Sequence, residues 1–211
     1  DRYNGVDDKI FRPLSREKVL EELHEKYGVP EEFFLHISAY QPKKNVETIL
    51  KAYYILRKKY KVAAKLVIVG RQPDRLKRLA SRLNISRGVI FTGYIPSEDI
   101  PKFYNATIAF IFPSLHEANP LPLLEAMACG CAIVTSNIPP CVEVVENSAL
   151  IVDPRSPVEL ANAMHILLED ENLRTKLERE VLEKAKKFTW EKSAKEYIKV
   201  YMNILAKISR K

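Results

Sequence analysis

The sequence predicts an α/β fold: a doubly wound, mostly parallel six-stranded Rossmann-like sheet with helices on both faces. Three observations carry this. Short apolar runs recur along the chain, and most are followed by a helical pattern. The runs are mostly apolar throughout rather than alternating, which marks strands covered on both sides. Strand–helix alternation with right-handed crossovers then builds an open sheet whose ligands bind outside the carboxyl ends of the strands.

The elements follow in order. Phe33-Phe34-Leu35-His36-Ile37 is the first strand, with a turn signal at Gln41-Pro42. Asn45 caps a helical pattern through Ile49, Leu50, Tyr53, Tyr54 and Leu56. Residues 65–70 form the second strand and 73–83 a helix; residues 89–93 form the third strand, and Ser97-Glu98-Asp99 opens a short helix ending near Asn105. Residues 107–113 are a strand leading to a helix over about 120–129, and residues 131–136 and 149–153 are the last two strands. Two segments lie outside the alternation: a helix over 15–27, and C-terminal helices over 157–211 with breaks near Asp170 and Thr189-Trp190. In the last of these, Ala194, Tyr197, Ile198, Tyr201, Ile204 and Leu205 have the spacing that buries one helix face. No linker divides the chain, so residues 1–211 read as a single domain, with the connector-like stretch 1–5 at its start.

Composition narrows the function classes. The 211 residues are 46% hydrophobic and 29% charged, with no apolar run of the roughly 20 residues a membrane span needs. Three cysteines, Cys129, Cys131 and Cys141, are too few for a disulfide framework and lack zinc-site spacing, so they read as reduced packing residues of a cytoplasmic protein. The net charge of +7 suits an anionic ligand, an anionic membrane surface or nucleic acid, but the cations are spread along the chain as on a solvated surface. Glutamine is confined to Gln41 and Gln72 while Lys, Glu and Arg abound, a bias of heat-adapted proteins.

The chemistry concentrates after the fourth strand. Asn119 is a good N-cap and Pro120 suits the first helical position, so a helix here would point its amides and positive dipole end at the ligand crevice. Because Pro122 also lacks an N–H, Leu121 and Leu123 are the candidate phosphate donors. Glu125 is the one charged residue among apolar or small neighbours over 121–130, about 7 Å along the axis from the helix start. It serves either as an acceptor for a ligand hydroxyl such as a ribose, or as part of a narrow solvent-facing stripe. Glu117, separated from it by seven residues, is either its partner across the helix tip or loop decoration. His36 reads as a satisfied core histidine, while His116 precedes Glu117 in the loop as a possible ligand contact.

Ser114-x-x-Glu117 followed by Leu121-Pro122-x-Leu124-Glu125-Ala126-Met127-Ala128-x-Gly130 resembles the paired-glutamate signature of the family 4 retaining glycosyltransferases. Asn4-Gly5-Val6-Asp7, Pro42-Lys43-Lys44-Asn45-Val46, Leu66-Val67-Ile68-Val69-Gly70, Phe91-Thr92-Gly93-Tyr94-Ile95, Val134-Thr135-Ser136 and Phe188-Thr189-Trp190-Glu191-Lys192 extend the resemblance across nearly the whole chain. The resemblance implies one half of a GT-B fold, the C-terminal donor-binding domain, facing an N-terminal acceptor domain absent here. It implies that Glu117 positions hydroxyls of the donor sugar and that Lys44 neutralises the leaving diphosphate. Glu125 would bind the ribose, Tyr94 and Ile95 would flank the base, and Ala118, Asn119, Leu121 and Leu123 would surround the phosphates. The implied ligand is a UDP-, GDP- or ADP-sugar, with retaining transfer of a hexose, no metal or other cofactor, and no nucleic-acid partner. The implied location is cytoplasmic, peripheral to the membrane if the acceptor lies at its surface. The isolated chain is expected to bind donor without appreciable transfer; a catalytically degenerate nucleotide-binding or partner-binding module is the alternative.

Two departures bear on that alternative. Where the family usually has Gly-Arg after the first strand, this chain has Ser38-Ala39, which leaves Lys44 as the principal cation unless Lys43 or Arg71 substitutes. Its Ala118-Asn119-Pro120 replaces the common Gly-Phe-Gly, removing an amide at Pro120 and restricting the backbone at Ala118.

Overall fold

The computed structural model describes residues 4–208; residues 1–3 of the connector-like start and 209–211 of the last helical stretch lie outside the described residues. Six strands form one sheet in the order β3-β2-β1-β4-β5-β6. They are β1 (Phe33–Ile37), β2 (Lys65–Val69), β3 (Val89–Gly93), β4 (Ala109–Phe112), β5 (Ile133–Ser136) and β6 (Leu150–Val152). Every pairing between these strands is parallel. This is the doubly wound order, with its switch point between β1 and β4, where ligand crevices of such sheets open.

The helices are α1 (Arg16–Tyr27), α2 (Val46–Tyr60), α3 (Asp74–Arg82), α4 (Ile100–Ala106), α5 (Leu121–Ala128), α6 (Pro139–Val145), α7 (Pro157–Glu169), α8 (Glu171–Ala185) and α9 (Trp190–Ile208). The sheet divides the interior into two cores. Phe33, Leu35, Val67, Phe110 and Phe112 enter one, while Phe34, Leu66, Ile68, Ala109 and Ile111 enter the other. Successive strand residues point to opposite faces, and both faces are covered by helices. That is why the strands are apolar throughout.

Local chemistry sets the breaks. Asp170 ends α7 and caps α8, its Oδ1 accepting the Leu173 N–H at 2.9 Å. Thr189 Oγ1 accepts the Lys192 N–H at 3.2 Å where α9 begins. Gly5 allows the entering chain to cross the start of α9, since a Cβ there would lie 2.1 Å from Trp190 N. Val6 N–H then donates to Phe188 O at 3.0 Å.

The structure adds a helix to the sequence reading. The passage from the fifth strand to the sixth contains α6, whose Pro139 and Pro140 occupy first-turn positions where a helix needs no N–H. On α9, Ile198, Tyr201, Met202 and Leu205 are exposed, so the apolar face that the spacing marks is not covered by the described residues.

α1 is fastened to the start of α4 by charge. Asp99, with a 3% exposed side chain, receives Lys26 and the Tyr27 hydroxyl on one oxygen and Lys102 on the other. Burial by itself would raise its carboxyl pKa, but hydrogen bonds from Lys26, Tyr27 and Lys102 outweigh it and hold the group well below the usual range. A carboxyl depressed in the folded state stabilises above its unfolded pKa and loses that contribution as pH falls. Asp99→Asn should therefore cost about 2 kcal/mol at pH 7. In urea melts the gap to wild type should narrow once pH drops below about 4, whereas a gap equal at pH 7 and pH 3 would remove Asp99 from this role.

Candidate functional site

The loops after β1 and β4 meet at the switch point. Residues Pro42–Lys44 make one 3-10 turn after β1. The Leu115 N–H of the β4 loop donates to Lys43 O at 2.8 Å, and Ser136 Oγ from β5 donates to Ser114 O at 2.6 Å. Asn45 follows the turn in the left-handed region, φ 61°, which asparagine tolerates better than most residues. Its buried amide donates to Pro113 O at 3.0 Å and to Pro154 O at 2.7 Å, and its Oδ1 accepts from Thr48 Oγ1 at 2.7 Å. Asn45 sits at the N-cap position read from the sequence, but its side chain makes no cap bond and instead ties together the loops after β1, β4 and β6.

That frame brings Lys44 and Glu117 together. Lys44 Nζ donates to Glu117 Oε1 at 2.6 Å, with side chains 13% and 5% exposed. The ammonium also lies 5.0 Å from the Phe112 ring centroid, a cation–π contact. His36 lies behind it, fully buried. Because Ile111 O can only accept, His36 Nδ1 carries the proton and donates to it at 2.8 Å; Nε2 then accepts from Ser38 Oγ, also at 2.8 Å. Burial lowers the imidazole pKa to about 4, with the Lys44 charge acting the same way and the Ile111 bond opposing. It is the satisfied core histidine read from the sequence.

Glu125 is held by a different partner. On α5 it accepts the Tyr104 hydroxyl at 3.1 Å, and Tyr104 on α4 is 1% exposed. Burial raises the Glu125 carboxyl pKa to about 7, opposed by the Tyr104 hydrogen bond. Half-buried and bonded to a core tyrosine, Glu125 is not on a solvated stripe.

The helix tip differs from the sequence reading. Pro120, not Asn119, occupies the N-cap, with Leu121 as the first helical residue and Pro122 next. The two nominated amides are engaged locally: Leu121 N–H donates to Asn119 O and Leu123 N–H to Pro120 O, each at 2.9 Å. Two prolines in three positions force this tight entry. Ala118 is exposed, and Asn119 is half-buried with its Oδ1 buried and without a hydrogen-bond partner. Leu121 is 36% exposed, and Leu123 is fully buried. Tyr94 stands 73% exposed beyond β3, while Ile95 packs into the core. His116 is exposed. Sequence reasoning missed the Tyr104 anchor and the tying role of Asn45. The former has no sequence signal beyond an aromatic on a short helix, and the latter needs the loops to be placed first.

The model of the glycosyl transferases group 1 family matches residues 20–204. The chain belongs to that family. Its six-stranded parallel sheet is one half of a GT-B fold and carries that family's C-terminal domain. It is 33% identical over 191 residues to the serotype-specific mannosyltransferase WbdA of Escherichia coli, covering 88% of this chain and 23% of WbdA. With the O-antigen chain mannosyltransferase B of Escherichia coli it shares 34% identity over 174 residues, covering 80% of this chain and 45% of that protein. The chain therefore spans less than half the length of these curated relatives. Among solved structures, Anabaena Alr3699/HepE in complex with UDP and glucose superposes with a TM-score of 0.85 at 20% identity, covering 96% of this chain and 56% of that one.

Glu125 supplies a test with a sign. A carboxyl whose pKa rises on folding keeps a proton the unfolded chain gives up, so its contribution is complete at low pH and lost as pH rises through about 7. Glu125→Gln keeps an acceptor for Tyr104 but cannot titrate, so relative to wild type it should gain stability between pH 4.5 and pH 8. Glu125→Ala should instead lose about 1–3 kcal/mol at both, because the buried Tyr104 hydroxyl is left without a partner. Urea melts at the two pH values check this, and a pH-independent difference between the Gln variant and wild type would contradict it.

Proposed function

We propose that this chain binds the donor in a retaining hexosyl transfer, holding a UDP-, GDP- or ADP-sugar at the edge formed by the loops after β1 and β4. The observation that carries the reading is the Lys44–Glu117 pair, a desolvated cation and carboxylate placed together at the switch point of the sheet. In this reading Glu117 orients sugar hydroxyls, and Lys44 stabilises charge as the anomeric carbon–oxygen bond to the diphosphate breaks. The new bond forms to an acceptor oxygen presented by an N-terminal domain, at a membrane surface if the acceptor is held there. Glu125 takes the ribose hydroxyls, with Tyr104 fixing its carboxylate. Tyr94 is the exposed group available to the base. Asn119, with an unpartnered Oδ1, is the polar group next to Ala118 and Leu121 at the helix tip. No metal or other cofactor enters this scheme.

A second reading, a nucleotide- or partner-binding module without catalysis, draws on Ala39. That residue puts a methyl group after β1, and Lys44 has its charge already balanced by Glu117.

Calorimetric titration of the chain with UDP, GDP and ADP tests the donor reading. One of the three should bind, and the chain alone should transfer no sugar from the matching nucleotide sugar. A folded chain that binds none of them would defeat the donor reading.

A further inference from the structure

A nucleoside diphosphate carries several negative charges and is held by uncompensated cations or free amides. At this edge several of the candidate groups are already engaged. Lys44 is paired with Glu117 at 2.6 Å, so together they bring no net charge. The α5 tip has Pro120 and Pro122, and the Leu121 and Leu123 amides are engaged locally. Arg75 is paired with Glu47 at 2.9 Å and lies 4.9 Å from the Tyr40 ring centroid.

Arg71 is placed differently. It directly follows Gly70 at the carboxyl end of β2, next to β1, whose other neighbour β4 delivers Glu117. Its residue is exposed, and the ion pairs among the described residues leave it out. The backbone beneath it is clamped from both sides. Tyr40 N–H donates to Arg71 O at 3.2 Å, Gln72 Nε2 to Ser38 O at 2.8 Å, and Gly70 N–H to Gly93 O at 2.7 Å. Gly70 makes the approach possible: its φ is +106°, and a Cβ there would lie 2.2 Å from Ser38 O. Adjacent strands are about 4.8 Å apart, a gap an arginine side chain spans. The clamped loop therefore holds Arg71, whose side chain makes none of these ion pairs, against the loop that carries Ala39.

We propose that Arg71 is the residue that binds the diphosphate of a nucleotide at this edge, supplying from the β2 loop the cation that Ala39 does not supply from the β1 loop. The inference rests on the donor-site reading. A guanidinium offers two parallel N–H donors to phosphate oxygens, which a lysine cannot match. Lys43 is the competing cation, half-buried on the 3-10 turn.

The test titrates wild type, Arg71→Gln, Lys43→Gln and the Arg71→Gln/Ala39→Arg double variant with UDP, GDP and ADP, and with uridine, guanosine and adenosine. Thermal melts confirm that each variant is folded. Arg71→Gln should raise the Kd of the preferred diphosphate by about tenfold or more while leaving its nucleoside unchanged, and Ala39→Arg should recover most of the loss. Unchanged diphosphate affinity in Arg71→Gln, or the loss falling on Lys43→Gln instead, would overturn the inference and leave the donor reading standing. A folded wild type that binds no diphosphate would overturn both.

Discussion

One buried side-chain amide organises the switch-point edge of this sheet. Asn45 donates to carbonyls at Pro113 and Pro154 and accepts from Thr48, so loops after three strands share one anchor. Buried carbonyls without donors are costly, and no apolar side chain could satisfy both. The left-handed backbone at Asn45 also ends the 3-10 turn that carries Lys44 and starts α2 in register. Lys44 and Glu117 come from residues far apart in the chain, and their 2.6 Å contact depends on that anchor and on the Leu115–Lys43 backbone bond.

The frame also explains how a small site can be held stiffly. The β2 loop is bonded to the loop after β1 and to the end of β3, and the β4 loop is bonded to the 3-10 turn and to Ser136. Beneath them His36 stays neutral, bridging Ile111 O and Ser38. Groups positioned this way need little reorganisation to meet a developing charge, which is where electrostatic catalysis gains most. The two carboxylates are nevertheless distinct in character: Glu117 is matched to a cation, whereas burial leaves Glu125 able to hold a proton near neutrality.

Much of this was legible in the sequence. Apolar runs over residues 33–37, 65–69 and 109–112 mark doubly covered strands because neighbouring residues serve opposite cores. Asp170 and Thr189 mark helix breaks because each side chain caps the helix that follows. Glu125 stood out as the one charge among apolar neighbours, whereas Glu117 and Lys44 were picked out by the family resemblance. What was illegible depended on tertiary placement. The Asn119-Pro120 tip was displaced by one residue because two prolines compete for the first turn. Tyr104 became the Glu125 partner only once α4 packed beside α5. The apolar face of α9 follows helical spacing, yet spacing cannot say what covers it.

The central claim is that the edge built around Asn45, Lys44 and Glu117 is where a nucleotide sugar binds. Amide chemical-shift mapping of the chain during titration with UDP-glucose, GDP-mannose and ADP-glucose tests it most directly. The largest perturbations should fall on residues 38–45, 70–72 and 114–125, with the Tyr94 amide following. Saturable binding with perturbations confined instead to the separate cavity bordered by Phe11, Leu182 and Trp190 would contradict it.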